Sequence, residues 1–184
     1  MATGTGDLAL LIAKKFHDTN VIGLDPSEKM LTIARNKIKN NLLEKRVKFI
    51  QGYSQNIPFN KDTFDVVTIA FGIRNFQYFH LSLKEIYRIL KPLGILEILE
   101  FSKPSNTYIK KIIDLYYRFM AQIGSFLSRN RFAYKYLQES IQSYSYCGNK
   151  MKRILRHHKF KTIYTKTLTF GIVSIYLSKK NEFD

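Results

Sequence analysis

The chain alternates short apolar runs with segments of helical spacing, and this order constrains its fold more than any other feature. The runs predict strands at Val21–Asp25, Val47–Gln51, Phe64–Ala70 and Ile95–Phe101. Helical spacing is found over Leu8–Phe16, from Asp25 to about Asn41, and from Leu81 to about Leu90. The β-branched density of Phe64–Ala70 is typical of a buried parallel strand. The alternation predicts an α/β fold, with a mostly parallel sheet and helices on both of its faces.

The order of elements changes in the last part of the chain. A long helical region is predicted from Ser105 to about Arg129, and a shorter helix from Asn149 to His158. Lys161–Leu168 and Gly171–Leu177 predict a C-terminal antiparallel hairpin with a tight turn. No repeat or linker interrupts the sequence, so we expect residues 1–184 to form one domain.

The formal net charge of +16 leaves three interpretations open. It is compatible with an anionic membrane surface, with nucleic acid, or with a compositional bias that serves no partner. No apolar run approaches the roughly 20 residues of a membrane-spanning helix, and the start lacks the pattern of a signal peptide. The single cysteine, Cys147, cannot form an internal disulfide and fits a reducing compartment. We therefore expect a cytoplasmic protein, or one held peripherally at the inner face of the membrane.

A glycine-rich turn and a later acid predict a nucleoside site. Gly4-Thr5-Gly6 lies just before the first helix, where a ligand can approach the backbone and free N–H groups favour a negative group. Asp25 ends the next predicted strand about 20 residues later, where a carboxylate can accept hydrogen bonds from both ribose hydroxyls.

The pattern alone does not choose the nucleotide. Gly4-x-Gly6-x-x-Ala9 also satisfies the dinucleotide fingerprint. Asp7 would repel a pyrophosphate but suits the ammonium and sulfonium groups of S-adenosylmethionine. The structural alternative is that Thr5 and Asp7 only cap one helix, and that Asp25 caps the next, with Pro26 at its first position.

Seven ordered segments carry a resemblance to a known family. Ala2-Thr3-Gly4-Thr5-Gly6-Asp7 resembles the first motif of class I methyltransferases. The further segments span residues 23–31, 71–75, 87–94, 99–104, 136–141 and 168–173. Together they resemble the ubiquinone/menaquinone C-methyltransferase family over nearly the whole chain. The resemblance implies a Rossmann-like, S-adenosylmethionine-dependent methyltransferase that acts on a ring carbon of a polyprenylated quinol.

The resemblance also assigns cofactor-binding residues. It implies that Thr5 and its glycine loop hold the methionyl part and that Asp25 holds the ribose. Tyr53 and Ser54 would flank the adenine, and Ala70 would line the pocket beside the methyl donor.

Three departures from the family pattern stand out. Tyr53 replaces an Asp or Asn that meets the adenine amino group, so stacking would have to replace that hydrogen bond. Leu93 replaces a common glycine, which we expect to affect only local conformation. The family's N-terminal helices and first strand are also missing, so we expect a gap in the sheet and either a mis-called start codon or a truncated copy.

Arg74 and Asn75 are the candidate catalytic residues. A quinol ring becomes nucleophilic at carbon when its hydroxyl loses a proton. Arg74 could stabilise the phenolate, directly or through a water, while Asn75 positions the ring oxygen. The alternative is that Arg74 pairs with a structural acid and Asn75 caps a turn. The aromatic residues Tyr116, Tyr117, Phe119 and Phe126 could line a prenyl channel or belong to the core.

These observations predict an enzyme that methylates demethylmenaquinol, or its ubiquinone-pathway counterpart, with S-adenosylmethionine as cofactor. A nicotinamide-dependent dehydrogenase and a truncated, non-catalytic remnant are the alternatives. We expect no nucleic-acid partner, and the four histidines show no spacing that predicts a metal site. The sequence makes no prediction about oligomeric state.

Overall fold

The computed structural model describes residues 1–39, 42–104, 108, 136, 139–141 and 143–182. Its helices are α1 (Asp7–Lys15), α2 (Glu28–Ile38), α3 (Phe79–Ile89) and α4 (Asn149–His157). Its strands are β1 (Val21–Asp25), β2 (Val47–Gln51), β3 (Phe64–Ala70), β4 (Leu90–Phe101), β5 (Lys161–Leu168) and β6 (Val173–Lys179). Of the helix predicted from Ser105 to Arg129, the structure describes Tyr108, and the aromatic stripe lies outside the described residues.

The strands form two sheets. β1 and β2 pair in parallel from Val21↔Val47 to Asp25↔Gln51. The other sheet has the order β3-β4-β6-β5, with β3 and β4 parallel and β6 antiparallel to both of its neighbours. The predicted α/β architecture and C-terminal antiparallel hairpin are confirmed. The strands divide into these two sheets, in agreement with the gap expected in the sheet.

A cavity of about 450 Å³ separates β1 from β3 and is lined mainly by apolar side chains. Met1 lines this cavity, and residues 1–3 connect β1 to β3. The Thr3 N–H donates to the Leu24 carbonyl of β1 at 3.1 Å, while the Met1 nitrogen donates to the Thr68 carbonyl of β3 at 2.7 Å. The expected gap in the sheet thus lies between β1 and β3.

The start of α2 differs from the prediction. Its N-cap is Ser27, whose hydroxyl accepts a hydrogen bond from the Met30 N–H. The assignment of Asp25 as N-cap and Pro26 as first helical residue is therefore wrong. A serine in extended conformation provides the cap two residues later, which leaves Asp25 at the end of β1.

β4 begins earlier than predicted, at Leu90 and not at Ile95. The pairing of β3 with β4 shifts register between Phe64 and Val66, where these extra residues are accommodated. Leu93 adopts φ +64, a conformation that favours glycine. This geometry explains why glycine suits the position.

Two hydrophobic clusters support the sheets. One packs α1 and α2 against β2, and its fully buried residues include Ala13, Leu31 and Ala34. The other joins α3 and α4 to the four-stranded sheet.

An imidazole pair adds a polar contact between α3 and the end of α4. His80 Nδ1 and His158 Nε2 are 2.9 Å apart. Burial, followed by the nearby charges of His80, His157 and Lys84, lowers the pKa of His158 to about 4.

Candidate cofactor and acceptor site

A cavity of about 570 Å³ opens at the carboxyl ends of β1 and β3. This is the edge at which parallel α/β sheets bind their ligands. Its lining includes six residues that matter below: Gly4, Asp25, Tyr53, Phe71, Asn75 and Tyr136. The volume is in the range of small-molecule sites.

Asp25 is fixed at the base of this cavity. Its side chain accepts a hydrogen bond from the Gly4 N–H at 2.8 Å through Oδ2 and from the Ser27 N–H at 2.9 Å through Oδ1. The residue is only 8% exposed. Each carboxylate oxygen has a further lone pair, so the group can still accept hydrogen bonds from two ligand hydroxyls. The predicted convergence of the glycine turn and Asp25 is observed.

The two glycines of the turn have different surroundings. Gly4 has φ +54 and lines the cavity, with open space where a Cβ would lie. Gly6 has φ +80, and a Cβ there would come within 2.6 Å of the Phe49 ring. Gly6 therefore allows α1 to pack closely on β2, while Gly4 leaves room for a ligand.

Thr5 and Asp7 form a small polar network with α2. The Thr5 hydroxyl donates to Asp7 Oδ2 at 2.6 Å, and Lys37 Nζ donates to Asp7 Oδ1 at 2.7 Å and to the Thr5 carbonyl at 2.9 Å. The hydrogen bonds from Lys37 and Thr5 lower the pKa of the Asp7 carboxyl group. Because Lys37 balances its charge, Asp7 does not by itself distinguish S-adenosylmethionine from a dinucleotide.

Tyr53 and Ser54 line the cavity, and their place beside the adenine stays a prediction. Tyr53 is 57% exposed and lines the cavity, where its ring could stack on a flat ligand. Ser54 forms a 2.7 Å hydrogen bond with the hydroxyl of Ser82 on α3. Ala70 instead lines a neighbouring cavity of about 210 Å³, which it shares with Thr3.

Two residues of α3 that the sequence did not single out hold the loop between β2 and β3 in place. Glu85 Oε2 accepts from the Ile57 N–H at 3.0 Å, and Arg88 donates to the Phe59 carbonyl at 2.7 Å. Glu85 and Arg88 also form an ion pair at 2.7 Å, and its hydrogen bond lowers the pKa of Glu85. Their spacing of three residues was the available signal, but it is equally common on exposed helix faces.

The loop after β3 has a strained start. Phe71 adopts φ +53 at the cavity wall, a conformation that non-glycine residues rarely adopt. A Cβ at the next residue, Gly72, would overlap the Ala2 methyl group. Close approach to the N-terminal residues therefore fixes this loop.

Arg74 is held by a buried acid. Its Nη1 lies 2.8 Å from Glu100 Oε1, and the side chains of the pair are 7% and 0% exposed. The Arg74 guanidinium also donates to the Phe71 carbonyl and to the Ser140 hydroxyl, the latter at 3.2 Å. This is the geometry of the structural alternative, and a catalytic role for Arg74 stays a prediction.

Asn75, in contrast, lines the cavity. Its Oδ1 accepts a hydrogen bond from the Tyr136 hydroxyl at 3.1 Å. Because that contact uses the carbonyl oxygen, the amide NH₂ group of Asn75 remains to donate to a ligand oxygen. The site can therefore hold a ribose at Asp25 and an oxygen-bearing ring near Asn75.

Sequence comparison identifies similar proteins over nearly the whole chain. The profile of the ubiE/COQ5 methyltransferase family matches residues 1–180. The demethylmenaquinone methyltransferase of Bacteroides fragilis is 35% identical over 98% of this chain and 74% of its own length. The ubiquinone/menaquinone biosynthesis C-methyltransferase UbiE of Wigglesworthia glossinidia brevipalpis is 38% identical over 96% of this chain and 71% of its own length.

Solved structures share the fold at lower identity. A phosphoethanolamine N-methyltransferase 2 from Haemonchus contortus, in complex with S-adenosyl-L-methionine, has a TM-score of 0.72 at 17% identity. It aligns over 98% of this chain and 47% of its own length. An S-adenosylmethionine-dependent methyltransferase from Aquifex aeolicus has a TM-score of 0.68 at 18% identity, over 97% of this chain and 78% of its own. Within the described part of this chain, no helix has the length and apolar character to cross a bilayer.

Proposed function

The chain belongs to the ubiE/COQ5 methyltransferase family, and we propose that it transfers a methyl group from S-adenosylmethionine to a ring carbon of a demethylmenaquinol. The observation that carries this proposal is the convergence of the Gly4 N–H and the Asp25 carboxylate at the wall of one cavity. The names of the relatives supply the acceptor class.

The residues of this cavity fit the cofactor. Asp25 is anchored by two backbone N–H groups and would accept from the ribose hydroxyls, while the exposed ring of Tyr53 would stack on the adenine. Gly4, which lines the cavity, would accommodate the methionyl part, with Thr5 next to it in the turn. When bound, S-adenosylmethionine supplies an electrophilic methyl group on a sulfonium.

The acceptor ring would lie against the loop that follows β3. Asn75 would donate through its amide to a ring oxygen and so orient the ring for in-line attack on the methyl group. Arg74 would act on the ring through its charge and not by direct contact, because Glu100 holds its guanidinium. Its positive charge would favour the quinolate over the neutral quinol, although Glu100 offsets part of that effect.

A polyprenylated quinol resides in a membrane, so the proposed substrate favours one interpretation of the +16 charge. We propose peripheral contact with an anionic bilayer rather than binding to nucleic acid. The scattered cations would draw the protein to the surface, and the substrate would be taken up from the lipid.

The test is a methyl-transfer assay with isotopically labelled S-adenosylmethionine and a demethylmenaquinol in detergent. We expect label in the quinol and calorimetric binding of S-adenosylmethionine in preference to NAD. Binding without transfer would contradict the acceptor assignment, and tighter binding of NAD would favour a dehydrogenase. A folded chain that binds neither would support a non-catalytic remnant.

A further inference from the structure

The turn between β5 and β6 presents an exposed phenyl ring. Phe170 is 81% exposed, although its ring is among the most apolar side chains available. Thr169 and Phe170 have φ values of +49 and +56, so two consecutive non-glycine residues adopt the left-handed conformation. Such conformations cost about 1–3 kcal/mol each and persist only where the surroundings enforce them. The ring gains little from folding, which points to a contact outside the chain.

The turn is firmly attached to the end of β4. The Ser102 N–H donates to the Ile172 carbonyl at 2.7 Å, and the Ser102 hydroxyl donates to the Gly171 carbonyl at the same distance. The Ile172 N–H closes the turn onto the Thr169 carbonyl at 3.1 Å. Phe170 is therefore presented on a supported turn.

The turn lies at the same edge of the sheet as the cofactor cavity. The pairing of Phe101 with Val173 places it beside the carboxyl end of β4. The Phe101 ring lies 4.9 Å from the ring of Phe71, which lines the cavity. A surface that contacts Phe170 would thus lie next to the acceptor site.

The sequence that contains the hairpin carries charge of one sign, since residues 140–181 contain nine Lys and Arg residues and no Asp or Glu. Lys161, Lys179 and Lys180 lie at the end of the hairpin opposite the turn, where Lys180 pairs with Asp62, so Lys166 is the cation of β5 nearest to Phe170. Lys166 is exposed three residues before the turn, and Ile163 and Tyr164 are exposed on the same strand. Exposed apolar side chains among cations are typical of surfaces that bind anionic bilayers.

We infer that this hairpin docks the protein on an anionic bilayer, with Phe170 inserted among the acyl chains and Lys166 at the phosphate level. The inference rests on the proposed function for its substrate, a quinol dissolved in that bilayer, but its surface is separate from the cofactor cavity. Docking at this edge would bring the loop that carries Asn75 to the membrane, so that the quinol ring enters the site while its tail stays in lipid.

Single-tryptophan variants test the insertion directly, because the chain contains no tryptophan. Phe170→Trp should show a blue-shifted emission on vesicles containing one-third phosphatidylglycerol, and brominated acyl chains should quench it. Leu42→Trp is the matched control, since Leu42 is also largely exposed but follows α2, next to the two-stranded sheet. Its emission should not change.

Vesicle binding of point variants measures the contribution of each group. Phe170→Ser should weaken partition about tenfold, through loss of the phenyl ring from the acyl region. Lys166→Gln should weaken it about fivefold on anionic vesicles and leave weak binding to neutral vesicles unchanged. Leu42→Ser should behave as the unmodified chain.

Binding of S-adenosylmethionine, measured separately, shows that the variants are folded and keeps the two proposals distinguishable. A chain that binds vesicles through Phe170 but transfers no methyl group would refute only the proposed function. Unchanged partition of folded Phe170→Ser, or equal loss in Leu42→Ser, would overturn the docking inference. So would tighter binding to duplex DNA than to anionic vesicles.

Discussion

Replacing Asp25 by asparagine keeps the shape of the side chain and removes its negative charge. The amide retains one oxygen, which can accept from either the Gly4 or the Ser27 N–H but not from both in the present geometry. The other N–H would face an NH₂ group, which offers no acceptor. Asp25→Asn therefore perturbs both the turn and the ribose site.

The size of the effect follows from these contacts. A hydrogen bond to a charged group contributes about 1.5–3 kcal/mol, so loss of one backbone contact should lower the free energy of unfolding by about that amount. Loss of one ribose contact of the same kind should weaken S-adenosylmethionine about 10- to 150-fold. Full burial would raise these values, but the contacts to Gly4 and Ser27 are only partly buried.

Two measurements check the prediction: calorimetric titration with S-adenosylmethionine and urea unfolding without it. Asp65→Asn is the matched control, because Asp65 is an exposed carboxylate paired with Lys91 outside the cavity. It should change neither the affinity nor the unfolding free energy by more than about 0.5 kcal/mol.

Wild-type affinity in a folded Asp25→Asn variant would refute the reasoning. The Asp25 carboxylate would then only stabilise the glycine turn and would not contact the ligand. Equal loss of affinity in Asp65→Asn would refute it in another way, by showing that the effect reflects overall charge.

Three other changes give distinct outcomes. Arg74→Met should lower the unfolding free energy by about 3–5 kcal/mol because Glu100 is left charged and buried. Adding Glu100→Gln should recover part of this loss in urea unfolding. A loss of less than about 1 kcal/mol in Arg74→Met alone would contradict the pairing. Tyr136→Phe frees the Asn75 carbonyl, so quinol KM should rise or kcat fall about three- to tenfold in steady-state assays, with S-adenosylmethionine affinity unchanged. His158 has a pKa lowered to about 4, so the folded state binds fewer protons than the unfolded chain. Stability should therefore fall as the pH falls from about 6.5 to 4. His158→Phe should flatten this dependence of the unfolding free energy on pH in urea titrations, and an unchanged slope would refute the assignment.

Strands and helix bodies were accessible from the sequence because their signals are local. Val21–Asp25, Val47–Gln51 and Phe64–Ala70 were predicted with the bounds that the structure shows. Helix ends were less accurate: Asp25 and Ser27 both suit an N-cap, and only the path of β1 decides between them. The left-handed conformation of Leu93 could not be predicted either, because it depends on the register of β3 with β4.

The site was predictable where a motif fixes chemistry and unpredictable where distant side chains meet. The glycine turn and Asp25 are 21 residues apart and still follow a known spacing. The Arg74–Glu100 pair spans 26 residues, and the contact between His80 and His158 spans 78. No sequence spacing encodes such contacts, since tertiary packing creates them.

Because the strands divide into two sheets, residues 1–3 help to set the distance between the two ligand positions. The ribose partner, Asp25, belongs to one sheet, whereas Asn75 follows a strand of the other. Met1 and Thr3 tie the two together through the carbonyls of Thr68 and Leu24. Methyl donor and acceptor would therefore be held beside different sheets, and methyl transfer tolerates little misplacement between them. Small changes in residues 1–3 should therefore alter turnover, because Met1 and Ala2 also line the cavity.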